Sequence, residues 1–137
     1  MTTAADHALA IGNLKARYCL AADTAAGDEP AARALFEGVL TQDFVGDYGF
    51  GVMNGPQAIV DFMCQAIAGG SEWMIHMLGS PRIEVAGASA TGDWTIHVES
   101  RRREGAGLMT VVGRYSDRFR LTAAGWQIAA ITFTRYE

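Results

Sequence analysis

The chain has few of the residues that build specialised scaffolds. Its 137 positions hold two cysteines and three prolines, and no apolar run approaches the ~20 residues that a membrane-spanning helix needs. Cys19 and Cys64 fall in separate helix-like segments without CxxC spacing, so they read as reduced, packed thiols and not as a metal site, a redox pair or a disulfide framework. Cations are scarce: eleven Lys and Arg against fifteen Asp and Glu give a net charge of −4. The one dense basic run, Arg101-Arg102-Arg103, is closed at once by Glu104. It reads as a solvated strand end, and a nucleic-acid partner is not expected. The segment Met1–Asp6 lacks the basic and apolar regions of a secretory leader, so a cytoplasmic protein with no membrane partner is expected. There is no GxGxxG, P-loop or GxSxG. Nothing therefore indicates nucleotide or serine-hydrolase chemistry, and no cofactor is expected.

What is present is an ordinary globular composition, half hydrophobic and 19% charged. That is enough to bury one core, so residues 1–137 are expected to form a single domain. Apolar residues at Ile11, Leu14, Tyr18 and Ala22 mark one face of a helix from His7 to about Ala25, closed by Gly27. A short helix should follow over 31–37, with Pro30 at its first turn, then a strand over 41–48. Asn54-Gly55-Pro56 announces a third helix, to about Ala68. The period then changes to two. Strands are expected over 73–85, bent at Gly79-Ser80-Pro81, and over 91–104, 108–121 and 125–136. Helices first and long hairpins after predict an α+β fold. Three helices on a strongly curved antiparallel sheet would enclose a cone-shaped cavity.

The segment Trp73-Met74-Ile75-His76-Met77-Leu78-Gly79 places one imidazole inside an apolar strand. An enclosed histidine can move protons near neutral pH if a second group orients it. Asp23, at the end of the first helix, is a candidate orienter, since a carboxylate at a helix C-terminus is unfavourable without a specific partner. Tyr18 precedes it by five residues, and Tyr48 ends the first strand with Phe44 and Gly46 on its side. Either hydroxyl could polarise a substrate oxygen; Tyr115 and Tyr136 offer the same group with less positional support. His97 could line the same pocket if the strand register is level. No histidine pair has metal-ligand spacing, so no metal is expected. Asp43 and Asp47 lie too far apart along one strand face to share a proton.

Taken in order, Ile11-x-x-Leu14-x-x-x-Tyr18-x-x-x-x-Asp23, Phe44-Val45-Gly46-Asp47-Tyr48, Gly55-Pro56-x-x-Ile59, His76-Met77-Leu78-Gly79, Gly113-Arg114-Tyr115-x-Asp117-x-Phe119 and Gly125-Trp126-x-Ile128 form a pattern. It resembles the SnoaL-like branch of the nuclear transport factor 2-like superfamily. Scytalone dehydratase, bile-acid 7α-dehydratase and hexachlorocyclohexane dehydrochlorinase belong to that neighbourhood. The resemblance implies the α+β cone. It also implies an aspartate at Asp23 holding a histidine at His76, which removes a proton from carbon while water or halide leaves. Tyr18 stands where the bile-acid enzymes polarise a carbonyl. His97 falls near a second active-site histidine of the scytalone enzyme. The adjacent Tyr-Asp pair of that enzyme is absent, because Ala22 precedes Asp23.

The resulting expectation is a cofactor-independent lyase acting on a small apolar cyclic or aromatic metabolite. His76 is its base, Asp23 the orienter, Tyr18 or Tyr48 the oxyanion donor, and His97 the acid for the leaving group. A ketosteroid-type isomerase, a polyketide-type cyclase and a non-catalytic ligand-binding cone are the alternatives. The expected pocket lining is Leu14, Phe44, Phe62, Met63, Met74, Leu78, Met109 and Phe133. Turning His97 inward puts Trp94, Ile96 and Val98 on the outer face. That apolar stripe predicts a homodimer or homotrimer.

Overall fold

Helical spacing in the first half and alternation in the second produce three helices and one six-stranded sheet. In the computed structural model, which describes Met1–Glu137, the order is α1 Ala4–Thr24, α2 Glu29–Phe36, β1 Leu40–Asp47, β2 Val52–Asn54, α3 Pro56–Gly70, β3 Ser71–Ala86, β4 Ser89–Arg102, β5 Leu108–Thr122 and β6 Gly125–Tyr136. The α1 helix begins at Ala4, three residues before the His7 start expected from its apolar stripe. Thr3 caps it by accepting from the Asp6 N–H at 3.1 Å, and the Asp6 carboxylate accepts from the Thr3 N–H at 2.8 Å. This reciprocal box satisfies donors that the first turn leaves unpaired. At α3 the cap is Gly55, at φ 86°.

The sheet runs β2-β1-β6-β5-β4-β3. Every neighbouring pair is antiparallel except β1 and β6, which run parallel. The expected bend in β3 is a register shift between Gly79 and Arg82, with Ser80 at φ 47°. Residues directly opposite in an antiparallel pair share a face. His76 lies opposite Val98, and Leu78 opposite Ile96, whereas His97 lies opposite Met77. Trp94, Ile96 and Val98 therefore point inward and are buried. This reverses the expected orientation of β4: its apolar stripe is core, and His97 is on the outer face. That outer face instead carries Trp73, Ile75, Met77 and Val112, each exposed.

Helix α1 presses Ile11, Tyr18, Ala21 and Ala22 into the concave side of the sheet, where Phe44, Tyr115, Phe119, Ile128 and Ile131 complete the core. The basic run is not wholly solvated. The Arg103 guanidinium donates to the carbonyls of Ala68 and Ala26, both at 2.9 Å. Neither α1 nor α3 has a basic residue in its last turn. One distant arginine thus supplies the cation that both helix C-termini favour.

Candidate active site

The last turn of α1 meets β3 at the rim of the sheet. Because β3 is an edge strand, every second N–H on it lacks a strand partner. Asp23 takes one of these. The His76 N–H donates to Asp23 Oδ2 at 3.1 Å, and the ring contact between His76 Nδ1 and Asp23 Oδ1 is 2.6 Å. An ionised carboxylate only accepts, so in the neutral ring the hydrogen sits on Nδ1 and Nε2 keeps its lone pair. The two side chains are only 8% and 19% exposed. The chain thus brings together two residues that its sequence separates widely, and it fixes both the ring orientation and the tautomer.

One turn and a half before Asp23, Tyr18 is buried, with its hydroxyl 2.6 Å from that of Tyr48 and 3.4 Å from Met63 Sδ. Burial, first of all, pushes both phenols above their ordinary range, so both remain protonated donors. Gly46 makes this arrangement possible. A Cβ there would meet the Tyr48 ring at 2.7 Å and the Phe44 ring at 3.1 Å. The third tyrosine, Tyr115, packs edge-on to Tyr18 with ring centroids 6.3 Å apart.

These groups and Arg135 line a cavity of about 290 Å³ whose remaining wall is apolar. Of the expected lining, Phe62, Met63, Met74, Met109 and Phe133 are there, together with Tyr18, Tyr48 and His76. Leu14, Phe44 and Leu78 are not. Phe44 is fully enclosed in the core, and Leu14 and Leu78 pack against it. Leu14 lies one helical turn before Tyr18, and Leu78 one residue pair beyond His76, so both sit past the end of the open space. His97 cannot reach the cavity; its Nε2 lies 3.1 Å from Glu99 Oε1 on the outer face. Among the lining residues that the sequence does not indicate are Phe50, Val98 and Arg135. Arg135 is the one Lys or Arg side chain there. Strand β6 delivers it, since Phe133 lies opposite Tyr115 and Arg135 opposite Gly113, alternate positions on one face.

The profile of the SnoaL-like domain matches residues 3–132. No protein with a curated description matches the sequence. Among solved structures, an NTF2-like superfamily protein from Salmonella enterica serovar Typhimurium superimposes with a TM-score of 0.86 at 18% identity, covering 98% of this chain and 94% of that one. A putative aromatic ring hydroxylase from Novosphingobium aromaticivorans gives 0.83 at 25% identity, covering 98% and 92%. A type 2 hexachlorocyclohexane dehydrochlorinase gives 0.80 at 17% identity, covering 94% and 84%. The shared architecture is the α+β cone.

Proposed function

The chain belongs to the SnoaL-like domain family, and on that premise we propose that it is a cofactor-independent lyase that eliminates water or a similar small group from an apolar cyclic or aromatic metabolite. The observation that carries this reading is the 2.6 Å contact between Asp23 and His76 at the wall of an apolar cavity. A dehydrochlorinase among the structures of the same fold is consistent with it.

In this reading His76 Nε2 removes a proton from the carbon beside a carbonyl. The C–H electron pair moves into an enolate, whose oxygen accepts from the Tyr48 hydroxyl. Tyr18 holds that hydroxyl in place. A preorganised donor in a dry site is worth far more than one in water. The enolate then collapses to form the C=C bond as the C–O bond breaks. With His97 outside, the proton balance closes through His76 itself. The imidazolium returns its proton to the departing hydroxyl, and water leaves. Arg135, at the cavity wall, offers positive charge to the leaving oxygen.

The test is a panel of cyclic β-hydroxy ketones and hydroxylated bicyclic aromatics, read by mass spectrometry. The expected product is one water lighter, and H76A should lose roughly 10²–10⁴-fold in turnover. A product of unchanged mass, again dependent on His76, would assign an isomerase instead. Full turnover on H76A would remove His76 from the chemistry.

A further inference from the structure

Behind the tyrosines lies a buried ion pair that this mechanism does not use. Lys15, on α1, places Nζ 2.8 Å from Asp117 Oδ2 on β5, and both side chains are wholly buried. Neither residue lines the cavity. The contact is an ion pair without hydrogen-bond geometry, so Lys15 Nζ and both Asp117 carboxylate oxygens lack a hydrogen-bond partner. The ammonium faces aromatic rings instead. Nζ lies 3.4 Å from the Tyr115 ring centroid, 4.5 Å from that of Tyr18 and 5.8 Å from that of Trp94.

Stability does not explain this pair. A buried ion pair with few supporting hydrogen bonds is no better than an apolar pair of the same shape. What distinguishes it is its position. Two of the three rings it touches, Tyr18 and Tyr115, form one wall of the cavity. Tyr115 and Asp117 are alternate residues of one strand, so they leave β5 on the same face, roughly 7 Å apart. The ammonium bridges them, which turns the positive end of the pair toward the ring.

We propose that Lys15 is a positioning residue acting by charge: through the Tyr115 and Tyr18 rings it strengthens the hold of the tyrosine wall on an oxyanion, and Asp117 sets how much of that positive charge the wall feels. The inference rests on the proposed role of the tyrosines in stabilising an enolate. The other ionisable groups near the wall are the Asp23–His76 pair, Arg135 and Cys19. Burial pushes the Cys19 thiol up to about 12, which keeps it neutral.

The test needs no knowledge of the natural substrate. Nitrophenol serves as the oxyanion probe, because its phenolate absorbs in the visible, and the bound phenolate-to-phenol ratio is followed against pH. In K15M the ratio at fixed pH should fall by roughly three- to tenfold, the effect of a unit charge at this range partly cancelled by its counterion. In D117N, which leaves the ammonium unbalanced, the ratio should rise. A merely structural pair would move both variants the same way or neither, and either result overturns the proposal. Should K15M not fold, the uncharged K15M/D117L keeps the question open to test: a lower ratio than in the wild type supports the proposal, and an unchanged one overturns it. If the wild type binds no nitrophenol, the wall is not an oxyanion site and the inference fails. The Asp23–His76 reading is tested separately by the water loss and by H76A, so the two failures are distinguishable.

Discussion

His76 gains its character from one oxygen atom. Without Asp23 Oδ1 at 2.6 Å, the ring could carry its hydrogen on either nitrogen and rotate about χ2. D23N keeps the size of the side chain and removes the fixed acceptor. Turnover should fall by about 10²-fold or more while the melting temperature changes little; steady-state kinetics and thermal unfolding check this together. A second residue-scale prediction concerns Gly46. G46A drives a methyl group into the Tyr48 and Phe44 rings. It should cost about 1–3 kcal/mol by overpacking and reduce activity by displacing the Tyr48 hydroxyl, measurable by urea unfolding and by kinetics. At this scale Asp23 and His76 were legible in the sequence because each sits oddly: an acid at a helix C-terminus, an imidazole in an apolar strand. His97 was not, because alternation gives two faces without saying which is inner. Energetics decides it. Burying Trp94, Ile96 and Val98 is worth about 1.5–3 kcal/mol for each side chain, more than turning in one polar ring. Arg135 stayed hidden because it stands in a polar strand end, Thr134-Arg135-Tyr136, and only its partner Gly113 shows which face it takes.

Between elements, the tie of most consequence is that of α1 to β5 through Lys15 and Asp117. Burial raises the Asp117 carboxyl from an ordinary 3.8 to about 6, against the downward pull of Lys15. The folded chain therefore holds this proton more tightly than the unfolded chain. The Asp117 contribution to stability is greatest below about pH 4 and is lost as pH rises through about 6. Removing the cation leaves a buried carboxylate without its counterion. K15M should be destabilised by about 3–5 kcal/mol at pH 8, and by clearly less at pH 5, where the carboxyl can take up a proton. Urea unfolding at the two pH values checks this, and an equal loss at both would count against it. The helices and long hairpins were legible from period alone. Two features were not. The three-residue β2 is too short to carry a period, and its pairing depends on the Gly49–Gly51 turn. The parallel match of β1 with β6 joins strands far apart in sequence, and no local pattern encodes such a pairing.

As a whole, the molecule is a cone whose concave side is filled by helices and whose convex side is bare along β3 and β5. The homo-oligomer expected from an outer Trp94–Val98 stripe loses that basis, since those residues are core. A different stripe takes its place: Trp73, Ile75, Met77 and Val112, all exposed and level across β3, β4 and β5 through Met77, His97 and Val112. We propose that this face meets a second copy of the chain. Light scattering should give a mass above that of one chain, reduced to one chain by M77E; a wild-type monomer at micromolar concentration contradicts it. The cone itself was legible from composition and period, but its inner and outer surfaces were not, because they depend on strand register. The proposed chemistry depends on two distant parts of this cone closing on each other at Asp23 and His76. Nitrogen-edited NMR of the histidine rings, at a pH where His76 is neutral, tests that most directly. A slowly exchanging, downfield Nδ1 proton with Nε2 unprotonated is expected, with loss of that signature in D23N. An Nε2–H tautomer, or a His76 ring unaffected by D23N, would contradict that expectation.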